Sequence, residues 1–157
     1  MKLIVDELGI QGTNEVFQEI TVGDSSRFVS NIRPHLYRHN SPSGSLRIDV
    51  RDVNDEIAKS SSVVAISAID PGNDFFHGEI RFDIEFSFRA GETYRIFLVG
   101  VSGYTFAESA YIGWCRGFDL GKYPSDFSPK VGFNSSLLME LWDNRFSREG
   151  FENEQNS

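Results

Sequence analysis

A chain of 157 residues with 14 Phe, 5 Tyr and 2 Trp is long enough for one domain with a real core, and too aromatic to be a disordered one. Lys+Arg 15 against Asp+Glu 23 give a net charge of -8. The densest basic stretch (Arg27, Arg33, His35, Arg38, His39) is scattered and broken by Pro34, which argues against nucleic acid as a partner. No run reaches the roughly 18 apolar residues needed to span a bilayer, and the lone Cys115 leaves no internal disulfide, so packing alone must hold the domain.

In chain order, Met1 to Glu7 turns acidic after Leu3, Ile4 and Val5, which is not the pattern of a secretory signal. Residues 16–22 and 27–32 have weak strand character, and the segment 1–42 is expected to pack on the main body or on a neighbour. Residues 45–51 alternate Leu46, Ile48 and Val50 with Arg47, Asp49 and Arg51, the period-two pattern of a half-wet strand. Val53, Asn54, Asp55 and Glu56 make a turn from which residues 57–60 return. Residues 62–69 form a further β-branched and small-residue run, closed by the turn cluster 70–74.

The clearest alternation is Ile80, Phe82, Ile84, Phe86 and Phe88 against Arg81, Asp83, Glu85, Ser87 and Arg89. A helix would scatter both sets; a strand puts the aromatics on one face. Ala90, Gly91 and Glu92 form a short turn, and residues 93–101 read as the returning strand of a hairpin. Its two faces, Tyr94, Ile96 and Leu98 against Phe97, Val99 and Val101, are both apolar, as in a central strand covered on both sides. A short strand follows at 111–115, then a Gly- and Pro-containing loop over 117–132. The run 137–142 reads as a helical turn or a closing strand, with strand preferred for so short a run, and the polar stretch 144–157 reads as a mobile acidic tail. Strand runs between turn signals, with no helical period, predict one all-β domain, an antiparallel β-sandwich over residues 43–143.

The chain has no G-x-S-x-G elbow, no Gly-rich phosphate loop and no Cys pair, and Cys115 between Ile112 and Trp114 reads as core, so no enzyme is expected. Asp83 and Glu85 share a face but alternate with Arg81 and Arg89, as a solvated strand face does. His35 and His39 have a zinc-ligand spacing for a helix, yet Pro34 and Pro42 and the lack of a nearby Cys or Glu favour surface-loop histidines. Two acidic turns, Asp52, Asn54, Asp55 and Glu56, and Asp70, Asn73 and Asp74, offer oxygens for a structural calcium ion. The same residues are the ordinary vocabulary of turns, and no other cofactor is expected. Among the aromatics outside the clear strands, Tyr104, Tyr111, Trp114 and Tyr123 are candidates for a ligand-stacking patch; the alternative is that such residues cap the ends of the sandwich.

The order Ser45-Leu46-Arg47-Ile48-Asp49-Val50, Glu56-Ile57-Ala58-Lys59-Ser60, Phe82-Asp83-Ile84-Glu85-Phe86, Ala90-Gly91-Glu92-Thr93-Tyr94-Arg95-Ile96 and Tyr111-Ile112-Gly113-Trp114 resembles jelly-roll modules of bacteriophage virion proteins, with related carbohydrate-binding-like and galactose-binding-like sandwiches. The closing Leu138-Met139-Glu140-Leu141-Trp142 resembles the last strand of such a module. This resemblance covers roughly residues 43 to 143 and rests on pattern. It implies a jelly-roll fold and a non-enzymatic virion component (capsid decoration, tail or fibre) made in the host cytoplasm. Its partners would be other virion proteins and further copies of itself. The other expectation is a carbohydrate-binding module that recognises a surface glycan through loop aromatics.

Overall fold

A computed structural model describes residues 4–8, 15–40, 42–73, 77–105, 110–117, 127–129, 136–137 and 139–143. In chain order these form β1 (Ile4–Leu8), β2 (Glu15–Val22), β3 (Arg27–His39), β4 (Ser43–Arg51), β5 (Ile57–Ser60), β6 (Val64–Ala65), a 3-10 turn (Ile66–Ala68), β7 (Gly78–Glu79), β8 (Phe82–Phe88), β9 (Thr93–Thr105), β10 (Tyr111–Gly117), β11 (Phe127–Pro129), β12 (Ser136–Leu137) and β13 (Met139–Trp142). Among the described residues there is no α-helix, and every strand pairing is antiparallel.

Two sheets result. The first runs β1-β10-β3, with β7 and β8 on the far edge of β3 and β12–β13 between β3 and the end of β10. The second runs β11-β2-β9-β4-β5, with β6 also on β4. Alternation dictates what each contributes to the space between them. Leu46, Ile48 and Val50 from β4 and Ile96 and Leu98 from β9 meet Ile32 and Leu36 from β3, Phe82 and Phe88 from β8, and Ile112 and Trp114 from β10 in one buried cluster. Each such side chain contributes about 1.5–3 kcal/mol by leaving water. The chain is a β-sandwich.

The strand over β8 has the expected face, with Phe82, Ile84 and Phe88 buried and Asp83, Glu85 and Ser87 exposed. Its partner differs from expectation. β8 pairs with β3 in the first sheet, whereas β9 pairs with β2 and β4 in the second, so residues 80–101 are not a hairpin. The link 90–92 crosses from one sheet to the other and docks on the neighbouring crossing between β2 and β3. Gly91 N–H donates to the carbonyls of Val22 and Gly23, Val22 N–H donates to the Glu92 carbonyl, and Ala90 N–H donates to Ser26 Oγ. A short polar turn satisfies its backbone equally well in either arrangement, which is why alternation cannot distinguish them.

The segment 1–42 was expected to pack on the sandwich or on a neighbour; its strands β2 and β3 are members of the two sheets. β2 lies between β11 and β9, and β3 pairs along both edges. The division at residue 43 therefore does not follow the sheets. β3 continues through Pro34 because of where its missing donor falls. The Pro34 carbonyl accepts from Ile80 N–H, so its nitrogen faces the same edge, at the break between β7 and β8 where no ladder bond is required. Residues 62–69 hold only the two-residue β6 and the 3-10 turn. β5 returns on β4 as expected, β10 contains the strand 111–115, and β12 and β13 close the chain as strands. The expected tail 144–157 and most of the loop 117–132 lie outside the described residues.

Candidate functional site

Period two sends Arg33, His35, Tyr37 and His39 of β3 to the outer face of the first sheet, opposite Ile32 and Leu36 in the core. The register then sets their neighbours. Glu140 of β13 stands beside Arg33, Glu79 of β7 beside His35, Gly113 of β10 beside Tyr37, and Tyr111 beside His39. Cross-strand partners share a face, so three separated segments deliver polar and aromatic groups to one surface.

Two parts of that surface differ in chemistry. Around β10 the face is packed: Tyr37 and Cys115 are buried and Tyr111 rests against them. The Tyr37 ring lies over Gly113, where a Cβ would come within 2.4 Å of the ring. Tyr111 stacks on His39 with ring centroids 4.8 Å apart. Around β13 and β7 it is charged. His35 Nε2 lies 3.2 Å from Glu140 Oε2, and Arg33 Nη1 lies 3.5 Å from Glu79 Oε1. Arg33 is also fixed by Asn31 Oδ1 at 2.8 Å and sits 4.4 Å over the Trp142 ring. His77 approaches edge-on, its ring centroid 5.5 Å from that of His35.

The Glu79 carboxyl is held above the usual carboxylate range. The main cause is its hydrogen bond to Glu140, followed by partial burial and the charge of Glu140, against which Arg33 and His35 pull down. Nitrogen or oxygen donors of His35, Glu79 and Glu140 all lie within 4.8 Å of one another, so these residues can converge on a cation.

The residues singled out from the sequence fall elsewhere. Trp114 is fully buried in the core and Tyr104 is 8% exposed, so neither offers a stacking face. Tyr111 is half-buried, and Tyr123 lies outside the described residues. Asp52 spends its Oδ1 on the backbone N–H groups of Asn54 and Glu56, at 2.8 and 3.0 Å, and Asp55 pairs with Arg51 at 3.4 Å. That is turn chemistry. His39 does not join His35 in a donor set; both lie on a strand, where four residues span far more than a helical turn. Glu79 and Glu140 went unnoticed because they are remote in sequence. The one available signal was Glu140, a charge within the apolar run Leu138 to Trp142.

Tyr104 closes the end of the sandwich. Its ring lies over Gly100, and its hydroxyl accepts from Ile112 N–H at 3.4 Å. Burial pushes this phenol up to about 12. A raised value favours the neutral form in the fold, so this contribution is complete below pH 10 and is lost as pH rises through 12. Ultraviolet titration of the folded wild type should therefore contain a tyrosine that ionises only at about pH 12, absent in Tyr104→Phe. An unchanged titration curve in that variant would refute the assignment.

The fold and this surface define an all-β, antiparallel sandwich with a His–Glu–Glu cluster on one outer face. Compared with known proteins, the chain matches no family model and no curated protein.

Proposed function

We propose that the chain is a non-enzymatic structural component of a bacteriophage particle, a jelly-roll module that works through protein contacts with other virion proteins and with further copies of itself. The observation that carries this reading is the distribution of apolar surface. Two of the four candidate stacking aromatics are buried, Trp114 fully and Tyr104 almost so, while Phe17 (46%) and Ile57 (53%) are exposed on the second sheet. Phe17 stacks on Phe97, and Arg51 lies 3.8 Å over the Phe97 ring. Ile57 pairs across the ladder with Arg51, and Arg51 with Arg95, so the apolar groups and these two arginines form one outer patch that runs across the sheet from β2 through β9 and β4 to β5. Aromatic and Arg side chains at an exposed apolar patch are the composition of a protein interface.

The strand order supports the finer fold reading. Setting aside the short β6, β7 and β11 to β13, it is β1-β10-β3-β8 facing β2-β9-β4-β5, with successive strands changing sheets at β1–β2, β2–β3, β3–β4, β5–β8, β8–β9 and β9–β10. This order favours the rolled-up arrangement of jelly rolls, an architecture common in capsid proteins and lectins. Fold alone leaves both uses open. The alternative, a carbohydrate-binding module, retains only Tyr111 beside His39 from its original platform among the described residues.

Mass spectrometry of purified particles of the encoding phage tests the proposal. Peptides of this chain are expected at the abundance of other structural proteins; their absence overturns the virion reading. Light scattering on the purified full chain is expected to give an oligomer that Phe17→Asp dissociates. Saturable binding on a glycan array without any particle association would favour the carbohydrate reading instead.

A further inference from the structure

We propose that His35, Glu79 and Glu140 bind a divalent transition-metal ion of the zinc class on the outer face of the first sheet. The three residues come from β3, β7 and β13, and the sheet register brings them together: Glu79 is the cross-strand partner of His35 on one edge, and Glu140 lies opposite Arg33 on the other. Their donor atoms all lie within 4.8 Å of one another. An ion bonded at about 2.1 Å to each donor needs them roughly 3.4 Å apart. His35 Nε2 and Glu140 Oε2 already stand at 3.2 Å. Glu79, whose side chain is 41% exposed against 15% and 16% for the other two, has the freedom to close the remaining gap.

The donor chemistry selects the ion. One imidazole nitrogen and two carboxylates suit zinc and its neighbours, whereas calcium takes six to eight oxygens. Three protein donors with one exposed side leave the fourth position to water. The competing cation, Arg33, does not depend on Glu79 for its place, because Asn31 Oδ1 and the Trp142 ring hold it as well. It can release that carboxylate without losing its other partners.

The test is calorimetric titration of ZnCl2 into the full chain after chelator treatment. One equivalent per chain is expected, with affinity at least tenfold weaker in His35→Gln and in Glu140→Gln. Glu79→Gln, at the exposed ligand, guards against loss of fold and is expected to weaken binding by a similar factor with an unchanged far-ultraviolet spectrum. His39→Gln, on the same strand face but outside the donor set, should bind as the wild type does. The absence of saturable binding near one equivalent, or wild-type affinity in folded Glu79→Gln, overturns the proposal. Loss of binding in His39→Gln overturns the donor set.

Discussion

Trp114→Ala is expected to destabilise the domain by about 3–5 kcal/mol, without that loss depending on any ligand. Trp114 is fully buried on β10, paired with Leu36 of β3 on one side and Asp6 of β1 on the other, and it belongs to the single core shared by both sheets. Truncation removes the largest fully buried side chain and leaves a cavity that close-packed strands cannot collapse to fill. In a domain of this size that corresponds to a drop in Tm of about 10 °C. Urea unfolding followed by circular dichroism gives the difference directly. A variant within about 1 kcal/mol of the wild type, far below the range for aromatic truncation in a core, would mean that the ring faces outward and would return it to the stacking candidates.

Gly44→Ala carries the second large effect, through the backbone instead of the core. Gly44 has φ +104, which L side chains rarely adopt. It sits where the β4–β9 register shifts between Ser43 and Ser45, and β9 answers with positive φ at Ser102 and Gly103. A Cβ at Gly44 would lie 2.5 Å from both the N and the Cα of Tyr104. Neither atom belongs to a side chain that can swing away, so the two paired strands must separate locally. Strain and clash together should cost roughly 3 kcal/mol. Because the affected residue is Tyr104, the variant should also let a tyrosine ionise at lower pH than in the wild type. Equal stability of the two proteins would show that the bulge opens freely.

Much of the local structure was legible because it is written in period two. The faces of β4 and β8 follow directly from Leu46, Ile48 and Val50 and from Phe82, Ile84 and Phe88 alternating with charges. Asp49 marks the limit of that logic. Alternation sends it to the wet face, yet it is fully buried, because Arg47 clasps it at 2.8 and 3.0 Å and Ser60 Oγ donates to it at 2.6 Å. Its burial comes from neighbours on its own and the adjoining strand, which no single-strand pattern reports. The expectation that β9 is covered on both sides holds for Phe97 in a particular way. Its outer face is covered by Phe17 from β2 and the Arg51 guanidinium from β4, not by another layer of secondary structure.

Tyr104 and Trp114 each follow a glycine, Gly103 and Gly113, and were candidates for stacking, but the ring of Tyr104 lies over Gly100 and that of Trp114 enters the core. Gly100 marks space taken by an aromatic, as Gly113 does for Tyr37. The acidic turn at 52–56 was open between calcium and turn chemistry, and its geometry uses Asp52 on backbone N–H groups.

By itself the sequence determined that this protein is all-β and which faces of its clearest strands are dry. These are properties of neighbouring residues, carried by a two-residue period and by composition. Only the tertiary structure decided that β8 and β9 belong to different sheets, that β2 and β3 lie within the sandwich, and that His35 meets Glu79 and Glu140. Each of those depends on strand pairing between distant segments, where many registers satisfy the same alternation and the packing of one shared core selects among them.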